Sequence, residues 1–269
     1  MCYYINGLKP QYIKKRFFAI RKAILPIGWK VMSSLRRFFV EKIESPLVID
    51  GEEFRHAVSV LRIKEGEDII VCDGSGLEYL SKVKKINKKD LEVEVLSSAE
   101  SDVEAKTDVT LIAGYLKGDK TELVVQKAVE LGAKKVIVFN SEYCSSYMNE
   151  NKLARLNKVS IEAAKQCGRA IAPKVFYEDT FKGALMDGEG CENKLFACEF
   201  ATSNEVDFKN LKGSTAIVVG SEGGFSKEES ELATSMGYKT VYLGKRILRA
   251  ETASIALLGI IMHSLGELE

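Results

Sequence analysis

Two short segments near the carboxyl end carry the residues best suited to chemistry. The first is Gly220-Ser-Glu-Gly-Gly-Phe-Ser226, and the second is Leu243-Gly-Lys-Arg-Ile-Leu-Arg-Ala-Glu-Thr-Ala253. Glycines leave the main chain bare, so a flat ring or a ribose can approach and hydrogen-bond to N–H and C=O. The second segment adds Arg246, Arg249 and Glu251 beside Gly244. Glu251 and Thr252 suit a helix start, where acidic and hydroxyl groups are favoured. Arg249 does not, because a cation is disfavoured there; an anionic partner such as phosphate or a developing negative charge accounts for it.

These segments need rigid elements to hold them. Each follows an apolar run that reads as a strand, 215–219 and 240–243, and each precedes a helical run, 226–236 and 251–265. Ser226-Lys-Glu-Glu229 has the form of a capping box. Loops at the ends of adjacent strands form the ligand crevice of an open α/β sheet. Neither segment is G-x-G-x-x-G or G-x-x-x-x-G-K-[ST], which disfavours a nicotinamide dehydrogenase or a P-loop enzyme. The final helix is apolar around most of its circumference, which predicts burial in a core or between subunits.

Further back, strands are expected at 109–115, 135–139 and 194–198, with helices at 121–131 and 151–167. This alternation predicts a parallel sheet covered on both faces. Gly168 should stop the long helix. Residues 35–103 read instead as short strands with glycine turns, a small barrel, with a short helix at 52–62. Asp73-Gly-Ser-Gly76 is a turn by composition, and 97–107 has the character of a linker. Residues 1–33 carry aromatic and basic side chains and are expected to lie outside the folded unit. The expected division is 1–33, 34–103 and 104–269.

Charge and cysteine content narrow the function. Lys and Arg number 39 against 38 Asp and Glu, a net +1. Residues 1–32 hold seven of the cations and no acid, so the remainder is 32 minus 38, or −6. Nucleic acid must therefore be met by local patches. Candidates are Arg36 and Arg37, then His56 with Arg62 and Lys64, then Gln166 and Arg169 at the end of the long helix. The lysine-rich turn around Lys82, Lys84, Lys85, Lys88 and Lys89 reads as a solvated edge or as a phosphate contact. Six cysteines form no C-x-x-C pair, and the only histidines are His56 and His263. Free thiols in a reducing cytoplasm are expected, with no metal site and no Ser-His-Asp triad. No apolar run has the length of a membrane span.

Taken in order, His56-Ala-Val-Ser-Val-Leu-Arg62, Asp73-Gly-Ser-Gly76, Gln126-Lys-Ala-Val-Glu-Leu-Gly132, Gln166-Cys-Gly-Arg169 and the two glycine segments resemble a known family. The chain is similar to the bacterial small-subunit ribosomal RNA uridine-N3 methyltransferases (RsmE type), within the SPOUT superfamily. The resemblance covers about 35–267. It implies a PUA-like β-barrel that helps bind rRNA, followed by an α/β domain with a trefoil knot, an exception to the rule against threaded chains. It implies S-adenosyl-L-methionine as cofactor, a homodimer, and N3 of uridine 1498 of 16S rRNA in the 30S subunit as target.

Carried over by position, Gly220, Ser221, Glu222, Gly223 and Gly224 match the first cofactor loop. Leu243, Gly244, Ile247, Leu248 and Ala253 match the second, and Arg249 with Glu251 the polar corner beside the methyl group. Ser221 and Lys245 stand where the family commonly has proline, and Lys165 where it has glutamate. The alternatives are a SPOUT enzyme acting on a ribose 2′-hydroxyl or another base, and a ribosome assembly factor without catalysis.

Overall fold

The computed structural model describes residues 35–144, 146–198, 200–201 and 203–269. The expected basic extension, 1–33, lies outside them. Two compact units emerge. Of the described residues, one comprises 35–38, Ile43–Val71 and Tyr79–Ser98; the other comprises Phe39–Lys42, Cys72–Glu78 and those from Ala99 to Glu269.

The β-rich part contains β1 (Arg37–Phe39), β2 (Leu47–Ile49), a short helix α1 (Gly51–Arg55) that continues as a π turn (His56–Val60), β3 (Asp68–Cys72), β4 (Leu77–Ile86) and β5 (Leu91–Glu100). The strands form one sheet in the order β1-β3-β4-β5-β2. Leu47 and Ile49 of β2 are buried while Val48 between them is 40 % exposed, the alternation of a half-buried strand. They pair antiparallel with Val93 and Leu91 of β5, which are also buried. The turn at Asp73–Gly76 is local: Asp73 Oδ1 accepts from the Ser75 N–H at 3.0 Å, and Gly74 and Gly76 have positive φ. The expected linker is corrected here, because β5 runs on through Ser97–Glu100.

The α/β unit runs β6 (Val109–Gly114), α2 (Lys120–Glu130), β7 (Lys135–Phe139), α3 (Glu150–Cys167), β8 (Val175–Glu178), α4 (Phe181–Met186), β9 (Asn193–Ala197), a 3₁₀ turn (Phe208–Asn210), β10 (Thr215–Val219), α5 (Lys227–Ser235), β11 (Lys239–Val241) and α6 (Ala250–Ser264). Its six strands take the order β11-β9-β10-β6-β7-β8, and every neighbouring pair is parallel. β6 and β10 are buried at every residue, as central strands covered on both faces must be.

The second-last strand, β10, enters between the earlier β6 and β9, and β11 then pairs outside β9. The last two βα connections therefore leave the carboxyl edge of the sheet on either side of β9, which corrects the expectation that their strands are adjacent. One face packs α2 and α6 through Val124, Val125, Ala128, Leu257, Leu258, Ile261 and Met262. The other packs an aromatic group, Phe139, Phe181, Phe196, Phe225 and Tyr238, with α4 and α5. Gly168 ends α3 at φ +85, the left-handed C-terminal stop expected of it.

Candidate active site

The first glycine loop leaves β10 at Gly220 and is fastened from three sides. Beneath it, Phe225 is buried with its ring 4.5 Å from Phe196 and 5.3 Å from Phe181. A side chain on Gly220 would meet that ring at 2.9 Å. Beside it lies Gly114, the last residue of β6, where a Cβ would collide with the Ser221 amide and reach Gly220 at 2.8 Å. The end of β6 and this loop can approach so closely only because residue 114 is glycine.

The third fastening is Glu229. Its Oε2 accepts the Ser226 N–H at 3.0 Å while Ser226 Oγ accepts the Glu229 N–H at 3.1 Å, so the capping box is complete. Its Oε1 accepts the Glu142 N–H at 3.0 Å, tying in the segment after β7. Ser141 Oγ also donates to the buried Ser221 Oγ at 2.7 Å. The Ser221 hydroxyl thus cross-links this loop to the segment after β7. Glu222, expected to meet the cofactor, accepts from the Lys117 N–H and from Lys120 Nζ, both at 3.0 Å. Burial pushes its carboxyl up, but the hydrogen bonds from Lys120 and Lys117 outweigh it and hold it below the usual carboxylate range.

The second loop is built differently. Asn204 Oδ1 accepts the Tyr242 N–H at 2.7 Å, and beyond that none of the described residues hydrogen-bonds to 243–248. Leu243 is half-buried against the core rather than in the strand, which ends at Val241. Gly244 has φ +97, and open space surrounds the direction a side chain would take. Lys245, Arg246 and Ile247 are exposed, Ile247 completely at 101 %. Leu248 is half-buried. Arg249 is the N-cap residue of α6, exposed and making no side-chain cap.

Glu251 sits in the first turn of α6, half-buried, and its Oε2 is buried without a hydrogen-bond partner. Ala253 packs against the core one turn in. A buried carboxylate oxygen with no donor is costly unless a ligand supplies one. Bare main chain at Gly223, Gly224 and Gly244, an uncovered Ile247 and this unpaired oxygen suit a flat, polar-edged ligand such as a nucleoside.

The expected RNA contacts divide. Arg36 is exposed and pairs with Glu67 at 3.1 Å. Arg62 and Lys64 are exposed, and Arg62 holds a left-handed φ of +52, unusual for a non-glycine residue. His56 is half-buried at the start of the π turn. Lys85, Lys88 and Lys89 are exposed around the β4–β5 turn. In the α/β unit, Gln166 is exposed and borders a depression of about 310 Å³ with Gln126, Arg155 and Lys158.

Two expectations are corrected. Arg37 is buried at 9 % exposure within β1, withdrawn from solvent. Arg169 is an internal strut at 3 % exposure: Nε and Nη2 bind Glu104 at 3.0 and 2.8 Å, and Nη1 donates to the Val129 and Ala133 carbonyls. A guanidinium so committed has nothing left for RNA. Burial pushes the neighbouring Cys167 thiol up, as befits an inert cysteine. Among the described residues, no cluster of His, Cys, Asp and Glu could hold a metal, and no helix is long and apolar enough to cross a membrane. Gly114, Ser141 and Tyr143, which join the loops, carry no local signal in the sequence, whereas Glu229 shows there as the third residue of the capping box.

With this geometry, comparison with known proteins is informative. Residues 103–262 match the RNA methyltransferase domain family, and residues 49–96 the RNA methyltransferase PUA domain family. The chain is 31% identical to ribosomal RNA small subunit methyltransferase E of Bacillus subtilis over 247 residues, covering 85% of this chain and 96% of the relative. It is 31% identical to the corresponding protein of Mesomycoplasma hyopneumoniae over 226 residues, 82% of this chain and 96% of that one. A crystal structure of ribosomal RNA small subunit methyltransferase E from Neisseria gonorrhoeae bound to S-adenosyl methionine is 30% identical, with a TM-score of 0.78, over 85% of this chain and 97% of that one. The β-rich part and the parallel α/β unit are the PUA-like and SPOUT parts of that fold. The chain belongs to the family of ribosomal RNA small subunit methyltransferase E.

Proposed function

We propose that this member of the small-subunit rRNA methyltransferase family transfers a methyl group from S-adenosyl-L-methionine to N3 of one uridine of 16S rRNA, uridine 1498 in the usual ribosomal numbering. The observation that carries the reading is the pair of glycine loops at the carboxyl edge of one parallel sheet, one fastened and one open, with Arg249 and Glu251 at the start of the helix that follows the second loop. The relative solved with S-adenosyl methionine supports the choice of cofactor.

Bound S-adenosyl-L-methionine supplies an electrophilic methyl carbon on a sulfonium. The residues of this chain do the remainder. Main-chain groups at Gly223, Gly224 and Gly244 bind the polar edges of the nucleoside, and Leu243, Ile247 and Leu248 cover its apolar face. Uracil N3 carries a weakly acidic proton, and that proton must leave for the nitrogen to react. Glu251, whose Oε2 lacks a donor, accepts it. Arg249 opposes the negative charge that spreads onto the uracil oxygens, or grips the adjoining phosphate. N3 lies on the pairing edge, so the target must be unpaired or turned out of its stack.

Arg36, His56, Arg62, Lys64 and Gln166 are the proposed rRNA contacts, with residues 34–103 acting as the RNA-binding domain and 104–269 as the transferase. A second copy of the chain would find an apolar surface on α6, where Ile260 is 40 % exposed beside Gly259. The cytoplasm is the proposed location, where 30S subunits are assembled.

Reverse transcription across 16S rRNA from cells lacking this gene tests the reading. N3 methylation blocks base pairing and halts the polymerase. The stop should disappear in the deletion strain and return with the wild-type gene; an unchanged stop pattern contradicts the assignment.

A further inference from the structure

The geometry points to the ring of Tyr143 as a platform on which an unpaired base of the substrate RNA stacks beside the first glycine loop. The inference rests on the reading that this loop holds the cofactor and that RNA is methylated there.

Tyr143 lies in the segment between β7 and α3. Its main chain is laid against Gly223: a Cβ on that glycine would collide with Tyr143 Cβ and come within 2.7 Å of its carbonyl oxygen. The residues on either side are fixed. The Glu142 N–H donates to Glu229 Oε1 at 3.0 Å, and Glu229 is itself buried and bonded to Ser226. The Cys144 N–H donates to the Ser141 carbonyl at 3.0 Å, and Cys144 Sγ reaches the Tyr115 and Ser146 carbonyls at 3.1 and 2.8 Å. The backbone of Tyr143 is thus anchored to the ends of β6, β7 and β10 together.

The side chain nonetheless remains 51 % exposed. A single exposed aromatic is unremarkable in itself. This one differs because its backbone is immobilised by a buried carboxylate and pressed onto the glycine loop. The direction in which the side chain leaves the backbone is therefore fixed, and the ring is left open to solvent. The loop under it is held as well: Glu222, the residue before Gly223, accepts from Lys120 Nζ and from the Lys117 N–H, both at 3.0 Å. An exposed aromatic on an anchored backbone is the kind of surface on which proteins stack unpaired bases. A uridine displaced from pairing loses its stacking neighbours, and Tyr143 returns one face of that stack.

Tyr143→Ala is a clean probe, since alanine keeps the Cβ that meets Gly223 and every tether runs through main chain or neighbouring side chains. Methyl transfer is measured on small ribosomal subunits purified from cells lacking the modification, alongside calorimetry with S-adenosyl-L-methionine. The expected result is a KM for subunits raised about tenfold, the size of one lost base–aromatic stack. The kcat and the cofactor affinity should stay within about twofold of wild type, because stacking that is equal in ground and transition states affects KM alone. Tyr143→Phe should restore the wild-type KM, and Tyr143→Leu should not. An unchanged KM in Tyr143→Ala overturns the inference, and so does an equal loss of cofactor affinity, which would make the ring part of the cofactor site. If the alanine variant does not fold, the leucine and phenylalanine variants decide by the same readings. Failure of the wild-type protein to methylate uridine N3 would instead sink the reaction proposed above.

Discussion

The two glycine loops follow the last two strands of one sheet, on either side of β9, yet they are held in opposite ways. Loop 220–226 is cross-linked by Glu229, by the Ser141–Ser221 hydroxyl pair and by the close approach of Gly114, with Phe225 locked into the aromatic core. Loop 243–249 exposes Gly244, Lys245, Arg246, Ile247 and Arg249. One loop is shaped before any ligand arrives, and the other retains surface that a ligand can cover. Preorganisation lowers the ordering cost of binding, whereas an open loop allows entry and release. A site with one of each can bind tightly and still turn over.

The contrast predicts where substitutions act. Arg249→Ala, on the open loop, should lower kcat by about 10²–10³-fold, the scale of losing one stabiliser of developing charge. It should leave the melting temperature and the calorimetric affinity for S-adenosyl-L-methionine near wild type; intact turnover would refute its role. Glu229→Ala, under the fastened loop, should act on stability first. It strands the Glu142 and Ser226 amides, at about 2 kcal/mol, which lowers Tm by about 5 °C. An unchanged Tm would mean the loop is held by its other contacts alone.

Ile247→Ser should show the reverse pattern. The side chain is fully exposed in the free protein, so Tm should hold while cofactor affinity drops about tenfold, from lost apolar burial in the complex. Equal affinity for the two proteins would remove Ile247 from the site. The smallest effect concerns Glu222, whose folded carboxyl lies below its ordinary value. Its contribution is present above about pH 4 and fades as pH falls through the folded value. Because 28 % of the side chain is exposed, Glu222→Gln should only flatten the acid limb of the Tm–pH curve slightly; superimposable curves would show that the pair with Lys120 adds nothing.

The same contrast explains what the sequence could reveal. Strands 135–139 and 215–219 are legible to the residue because continuous apolar runs bounded by polar residues mark buried parallel strands. The capping box places the start of α5 because its partners are three residues apart. β8 escaped notice, being four residues with only Val175 buried, and α4 is too short at six residues to show a period. The tail of β5 resembled a linker because it is solvated on both faces. The glycines and Arg249 were legible as chemistry out of place.

The fastenings were not, since Glu229 and Glu142, Ser141 and Ser221, and Arg169 and Glu104 are joined across 65 to 87 residues of chain. Arg169 shows the cost of that blindness. A cation after a helix end reads as a surface contact until the fold supplies a half-buried carboxylate for it.

The central claim is that these loops deliver a methyl group to uridine N3. Small subunits lacking the modification, incubated with the protein and isotope-labelled S-adenosyl-L-methionine, can be digested to nucleosides and analysed by mass spectrometry. The account predicts labelled 3-methyluridine with wild-type protein and its near absence with Arg249→Ala; label on a ribose hydroxyl or another base, or none at all, would contradict it.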